Sequence, residues 1–405
     1  MATRVLCFDH EGGHGGSSHS LYHVLSHQDR DQVQAKVISR KQSDLQTKYH
    51  DLGVETAVEP ELPLFSPSEA GWKPNLSLLK NYLPGVLRRY RKFDYLAEDI
   101  ERNFDIVHFN HASLFVLAAR LRRLTNKPFT MHIRTRPENS FLTRMQARSI
   151  LKSCGKLIYI TENERDYFSM LAGRAPGTII LNPSISPPGN LSSHPDVPND
   201  RRLKIASLKS FSPRLGHIRL VEIAKALADM GERSKVLFVM AGDMRLWSSL
   251  PGKLGETAAR GGNFEDYVKD QGLSDLFLFL GWVPNPERVL AACDLLAAPG
   301  FDNNPWGRDI IEAYSLGRPV IATGRWDKFV KDGQTGLLAE KFEAKKFAQD
   351  ILLLADDREK LGQMGAAGRR NIAALCSPHD RARDLQKLWQ SVACSAISKP
   401  EAKAN

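Results

Sequence analysis

Short apolar runs alternate with longer stretches in which apolar residues recur every three or four positions, and the alternation repeats along most of the chain. Residues 5–8, 35–39, 106–109, 129–133 and 157–161 are runs of the first kind. Their length and their content of β-branched and aromatic residues predict strands buried on both faces. The helical stretches between them predict crossovers, and so a parallel sheet wrapped by helices. A polar stretch at 183–202, carrying Pro187, Pro188, Pro195 and Pro198, breaks the pattern and predicts a linker. Beyond it the alternation restarts, with strand-like runs at 204–208, 236–241, 276–280, 295–298 and 319–322. A last amphipathic stretch at 378–396 sets Leu385, Leu388, Trp389 and Val392 on one face.

The expectation is an α/β protein of two Rossmann-like, doubly wound domains. Residues 1–185 form the first, 186–202 the linker, 203–377 the second, 378–397 a final helix and 398–405 a disordered tail. Ligands in such sheets gather at the carboxyl ends of strands, here expected to face a cleft between the domains.

With 405 residues there is length enough for two cores. No apolar run is long enough to span a membrane, and the N-terminus enters its first strand without a signal-peptide layout, so a cytoplasmic protein is expected. Five scattered cysteines with no C-x-x-C pair point to reduced thiols, against a disulfide framework or a zinc knuckle.

The formal net charge of +10 favours acidic partners: nucleic acid, phosphorylated small molecules or anionic membrane. No RNA-recognition signature, zinc finger or DNA-reading helix is visible, so nucleic acid is not expected. Between Lys73 and Lys92, six basic residues and no acidic one interleave with Leu76, Leu79, Tyr82, Leu83, Val86 and Leu87. That layout suits peripheral contact with the anionic inner face of a membrane, and equally a solvated helix packed on the sheet. A second basic group, Arg134, Arg136, Arg144, Arg148 and Lys152, follows His132 at a strand end and suits an acceptor bearing phosphate or carboxylate.

Candidate chemistry concentrates at 302–321. A loop containing Asp302 and Asn304 leads into a helix entered just after Pro305, stopped at Gly317 before the strand 319–322. The free N–H groups at Gly307, Arg308 and Asp309, with the helix dipole, make a site for an anion such as a diphosphate. Gly307, lacking a Cβ, admits a ligand close to the backbone. Glu312 suits gripping a pair of sugar hydroxyls, or is a satisfied interior carboxylate.

Near the N-terminus His10, Glu11 and His14 spell the H-E-x-x-H pattern of zinc proteases. That motif needs a helix, and Gly12 and Gly13 inside one would each cost roughly 1 kcal/mol relative to alanine. The preferred reading is a glycine turn through Gly15 and Gly16, with a helix capped near Ser17 or Ser18 and backbone amides facing phosphate or an acceptor. The stretch 161–164 reads as an N-cap.

The 302–321 stretch resembles the C-terminal signature of the retaining family-four glycosyltransferases. There two acidic residues flank seven others, and a Glu-Ala pair precedes a Gly-x-Pro-Val strand. Glu312 matches the second acid; the first falls on Asn304. The segment 207–220 resembles the family's basic loop: Gly216 is present, but the family Lys falls on Leu215 and the Arg on Ser210. Lys209 and Arg214 stand one residue away, and with Arg308 are expected to replace that pair. Gly242, after the strand 239–241, and Val283, in 279–284, resemble the turns beside the donor, with the base held through the backbone near Val283. His132 matches a family His beside the transferred sugar, and Gly15-Gly16 the loop against the donor phosphates.

The resemblance implies the GT-B fold, with the first domain on the acceptor side and the C-terminal helix crossing back to it. It implies retaining transfer of a sugar from a nucleotide-sugar donor to a hydroxyl of a glycan, lipid-linked or other acceptor. Glu312 would hold the ribose, Asn304 or Asp302 the sugar hydroxyls and His132 the sugar's far side. No cofactor or metal is expected. A non-catalytic nucleotide-sugar-binding or scaffold protein, a sugar-nucleotide epimerase and a zinc protease are the rival readings.

Overall fold

The structure is a computed structural model that describes residues 2–12, 15–65, 93–186, 189–301 and 305–397. Asp302, Asn304, His14, the basic stretch 73–92 and the tail 398–405 lie outside the described residues. The chain divides into two compact units, Met1–Pro183 with Ser377–Asn405, and Ser184–Cys376.

In the first unit the described strands are β1 (Thr3–Asp9), β2 (Val33–Ser39), β3 (Glu55–Val58), β4 (Ile106–Phe109), β5 (Phe129–Ile133), β6 (Lys156–Tyr159) and β7 (Gly177–Ile179). They pair in parallel in the order β3-β2-β1-β4-β5-β6-β7. Alternate residues of β1 serve opposite faces, as strand geometry requires. Leu6 and Phe8 join Phe109, Phe129, Met131 and Tyr159 on one side. Val5 and Cys7 join Val37, Ile106 and Ile158 on the other, beneath Leu21 and Leu25 of the helix Gly16–Leu25 and Leu385 and Trp389 of the helix Pro378–Ile397. The C-terminal helix therefore returns to the first sheet, where Gln28 Nε2 donates to the Ala382 carbonyl at 2.8 Å.

The second unit holds β8 (Leu203–Ser207), β9 (Val236–Ala241), β10 (Phe277–Gly281), β11 (Leu295–Ala298), β12 (Val320–Thr323) and β13 (Gly336–Ala339), in parallel order β10-β9-β8-β11-β12-β13. Residues 189–202, expected to be a linker, are instead fastened to this unit. Arg288 donates to the carbonyls of Ser192 and Ser193 at 3.3 and 3.2 Å, and His194 N donates to the Arg288 carbonyl at 3.0 Å.

Both sheets reverse their winding once. In the first the reversal falls between β1 and β4; in the second it falls between β8 and β11. At such a switch point the loops leaving two adjacent strands diverge and open a crevice at their carboxyl ends.

Candidate functional site

At the switch point of the second sheet the loop 208–216 leaves β8 and residues 299–301 leave β11. Their backbones touch. Gly216 has φ +94, and a Cβ there would fall 2.5 Å from the Pro299 carbonyl oxygen. Phe301 N donates to the Arg214 carbonyl at 2.8 Å. Arg219, in the first turn of the helix His217–Asp229, fastens the second loop: Nη1 donates to the carbonyls of Pro299 (3.1 Å) and Gly300 (2.7 Å) and to Thr323 Oγ1 (3.2 Å). Its guanidinium lies over the rings of Phe301 and Phe342, at 4.0 and 4.7 Å from their centroids.

Lys209 is held from below by its backbone. His217, buried and kept neutral mainly by that burial, donates from Nε2 to the Lys209 carbonyl at 3.0 Å. The turn after β9 underlies the same residues: Asp243 N donates to Ser210 Oγ at 3.1 Å, and Phe211 N to the Asp243 carbonyl at 2.7 Å. The half-buried Lys209 side chain then reaches the first turn of the helix Arg308–Ser315, where Nζ stands 3.1 Å from Asp309 Oδ2. Gly307 is the N-cap of that helix, and the Asp309 carboxylate fills the space a Cβ on Gly307 would take. One helical turn on, Arg308 Nε and Nη2 both donate to Glu312 Oε1, at 2.9 and 2.7 Å. Burial pushes the Glu312 carboxyl above its ordinary value, against the pull of Arg308; Asp309 and Glu287 add to the rise.

The structure thus brings Lys209, Gly307, Arg308 and Glu312 into one constellation with Asp309. Arg308, expected on a diphosphate, pairs with Glu312 among the described residues. Arg214 is exposed and contributes its carbonyl to the Phe301 N–H. Gly242 lies directly beneath Lys209, and its N–H donates to the Gly281 carbonyl at 2.7 Å, joining the ends of β9 and β10. Val283 is half-buried two residues beyond that carbonyl.

At the switch point of the first sheet a polar cluster closes the ends of β1, β4 and β5. Asp9 Oδ1 accepts from Asn110 Nδ2 at 3.0 Å, and Asp9 Oδ2 from Gly12 N at 3.1 Å. Burial alone would raise the Asp9 carboxyl, but the adjacent His10 ring, its Nδ1 3.7 Å from Oδ1, and donors that include Asn110 hold it below its ordinary value. Arg134 donates to the Asn110 carbonyl at 2.9 Å, to its Oδ1 at 2.7 Å and to Asn182 Oδ1 at 2.7 Å. The rings of His10 and His111 stack at 4.0 Å.

His132, near the end of β5, is buried. Its Nδ1 meets His108 Nε2 at 3.0 Å, and His108 Nδ1 meets Thr130 Oγ1 at 3.0 Å. Burial, then Arg134 and the neighbouring imidazoles, depress His132 well below the ordinary range.

The loop before the first helix corrects two expectations. The helix begins at Gly16, with Gly15 as N-cap and no serine capping it; the Glu11 carboxylate occupies the space beside Gly15. Gly12 has φ +85, so His10 and Glu11 sit on a turn and lack the helical spacing a zinc-protease motif demands. Among the described residues no group of three His, Cys, Asp or Glu is placed to hold a metal ion. Thr161 caps its helix as expected, accepting from Asn163 N at 3.1 Å.

Sequence reasoning missed Asp9, Asn110, His108 and Arg219. Asp9 and Asn110 stand where β1 and β4 end, and polar residues at the ends of adjacent apolar strands were the available signal. Arg219 carried none, because a lone Arg on a helix reads as surface.

Comparison with known proteins fits this geometry. Residues 193–371 match the family model described as glycosyl transferases group 1. Over 134 residues the chain is 32% identical to a D-inositol 3-phosphate glycosyltransferase of Nocardia farcinica, a match covering 31% of this chain and 29% of that relative's length. A GDP-mannose-dependent alpha-(1-6)-phosphatidylinositol monomannoside mannosyltransferase of Mycobacterium tuberculosis is 24% identical over 72% of this chain and 76% of its own. Among solved structures, Anabaena HepE in complex with UDP and glucose superposes with a TM-score of 0.72 at 19% identity, covering 96% of this chain and 100% of that one. The fold is accordingly of the GT-B type, and the match to the glycosyl transferases group 1 model lies within the second unit.

Proposed function

We propose that this protein is a retaining glycosyltransferase, moving a sugar from a nucleotide-sugar donor to a hydroxyl of a glycan or lipid-linked acceptor without a metal. The observation that carries the reading is the convergence, at the switch point of the second sheet, of Lys209 with the start of the helix Arg308–Ser315. When the bond from C1 of the sugar to the diphosphate oxygen breaks, negative charge grows on the leaving phosphate. A cation and peptide N–H groups already in position lower the barrier to that step. An arriving diphosphate competes with Asp309 for Lys209.

Glu312, its Oε1 engaged by Arg308, offers Oε2 to the ribose hydroxyls. His132, neutral, is able to accept or donate a hydrogen bond to a sugar hydroxyl. The acceptor oxygen attacks C1 on the face the diphosphate leaves, and its proton passes to the departing phosphate oxygen, so configuration is retained.

The test is a thermal-shift screen with UDP, GDP, UDP-glucose and GDP-mannose, the last two suggested by the names of the relatives, followed by transfer assays with the ligand that binds. A productive donor at a hundred times its Kd adds about 2.7 kcal/mol to stability. Lys209→Ala is expected to weaken that donor at least tenfold. If no nucleotide raises the melting temperature, or Lys209→Ala changes nothing, the reading fails. Release of free sugar or an epimerised donor without an acceptor would replace it with hydrolysis or epimerisation.

A further inference from the structure

The helix Phe141–Ser153 packs one side into the first unit through Thr143, Gln146, Ala147, Ile150 and Ser153. Its outer side is not the polar surface such a helix usually presents. Phe141 is 74% exposed, Leu142 45% and Met145 50%. Arg144, Arg148 and Lys152 are the exposed charges beside them, and the helix contains no acidic residue. At 3.6 residues per turn these six side chains span an arc of roughly 160°. Phe141, Met145, Arg148 and Lys152 run down its middle, with Leu142 and Arg144 on its flanks.

The arrangement is graded along the axis: the three apolar side chains occupy the first turn and a half, and the cations extend toward the C-terminal end. Ser140 fixes the exposed apolar end rigidly, since its Oγ accepts from Thr143 N at 3.2 Å and Thr143 Oγ1 accepts from Ser140 N at 2.8 Å. Arg144 is steadied by donating to Asn139 Oδ1 at 2.9 Å.

Glu138 is exposed just before the helix, but along the helix itself the apolar cluster is bordered only by cations, which suits a partner that is apolar inside and anionic outside. We infer that this face docks on an anionic lipid bilayer, Phe141, Leu142 and Met145 entering the headgroup boundary while Arg144, Arg148 and Lys152 meet lipid phosphates. Charge complementarity selects this occupant: a second copy of a chain with net charge +10 would bring like charge to a basic face. Docking by this face would stand even if no sugar were transferred.

The experiment is co-sedimentation of the full chain with vesicles of phosphatidylglycerol and phosphatidylcholine, and of phosphatidylcholine alone. The wild type is expected on the anionic vesicles only, and less so in 0.5 M salt. The triple variant Phe141→Ser, Leu142→Ser, Met145→Ser is expected to lower partitioning at least tenfold. Arg148→Glu with Lys152→Glu should lower it by about fivefold or more for each cation lost. Both variants should keep the wild-type melting temperature, because every altered side chain is exposed. Wild-type partitioning by both variants, or a wild type that stays with neither vesicle, overturns the inference. So does light scattering that shows a dimer which the triple variant dissociates, since the face would then be a self-association surface.

Discussion

His108 and His132 lie side by side in the first unit, both buried, joined by a 3.0 Å hydrogen bond. Burial pushes His108 down to about 3, with Arg134 adding to the effect, and His132 also falls well below the ordinary value. In the unfolded chain both titrate near 6.5. Above that value neither state is protonated, and the stability associated with keeping them neutral is fully present. As pH falls below about 6.5 the unfolded chain gains protons that the folded one refuses, and stability declines until the folded values are reached. Each such imidazole contributes a slope of up to about 1.4 kcal/mol per pH unit in that window. The melting temperature is therefore expected to drop between pH 7 and pH 5, and His108→Gln, which keeps a donor and acceptor but cannot titrate there, should flatten the drop. An unchanged pH profile in that variant would refute the assignment. At this scale the sequence was only partly legible: His132 could be nominated from its strand end, but its partner His108 lies 24 positions away on β4 and becomes a neighbour only through sheet pairing.

Among the elements, the loop 208–211 illustrates how one conformation positions a charge. Gly242 has φ +148, a region L-residues rarely enter, and a Cβ there would fall 2.6 Å from both the carbonyl carbon and oxygen of Lys209 and 2.7 Å from Ser210 N. All three are backbone atoms, so the loop itself must move. Gly242→Ala is expected to destabilise by about 1–3 kcal/mol from strain alone and also to abolish the donor-induced thermal shift, because Lys209 is carried off its place. Gly281→Ala is the control: its φ of +65 imposes strain, but nothing lies within 4 Å of its Cβ position, so the donor response should survive. Equal loss of donor response in both variants would show that strain, and not displacement of Lys209, is responsible. The central strands were readable because continuous burial writes a continuous apolar run, as in 236–241. The edge strands Glu55–Val58, Gly177–Ile179 and Gly336–Ala339 were not, being short and partly exposed, with side chains that burial does not constrain. The proline-rich stretch after 183 misled for a related reason: its composition is that of a linker, and the side chain that fastens it, Arg288, lies about a hundred residues downstream.

On the scale of the whole chain, the two units differ in how they are encoded. The second is continuous, Ser184–Cys376, whereas the first is completed only by Ser377–Asn405. That last segment supplies core: Ala382, Leu385 and Trp389 are buried against Val5, Leu21 and Leu25, and the Trp389 ring meets His108 at 5.4 Å. A chain ending at 183 would leave that apolar face bare. Burying side chains of this size contributes about 1.5–3 kcal/mol each, comparable with the 5–15 kcal/mol that a domain has in total. Residues 184–376 expressed alone should therefore melt cooperatively and retain nucleotide binding, since Lys209, Gly307, Arg308 and Glu312 all belong to that unit. Residues 1–183 alone should aggregate or bind a hydrophobic dye, and fusing 377–397 to their C-terminus through a flexible linker should restore a cooperative transition. A cooperative, dye-negative transition in 1–183 without that helix would mean that the final helix merely covers a fold already complete. Failure of 184–376 to bind nucleotide while still folding would instead place part of the donor site outside the second unit.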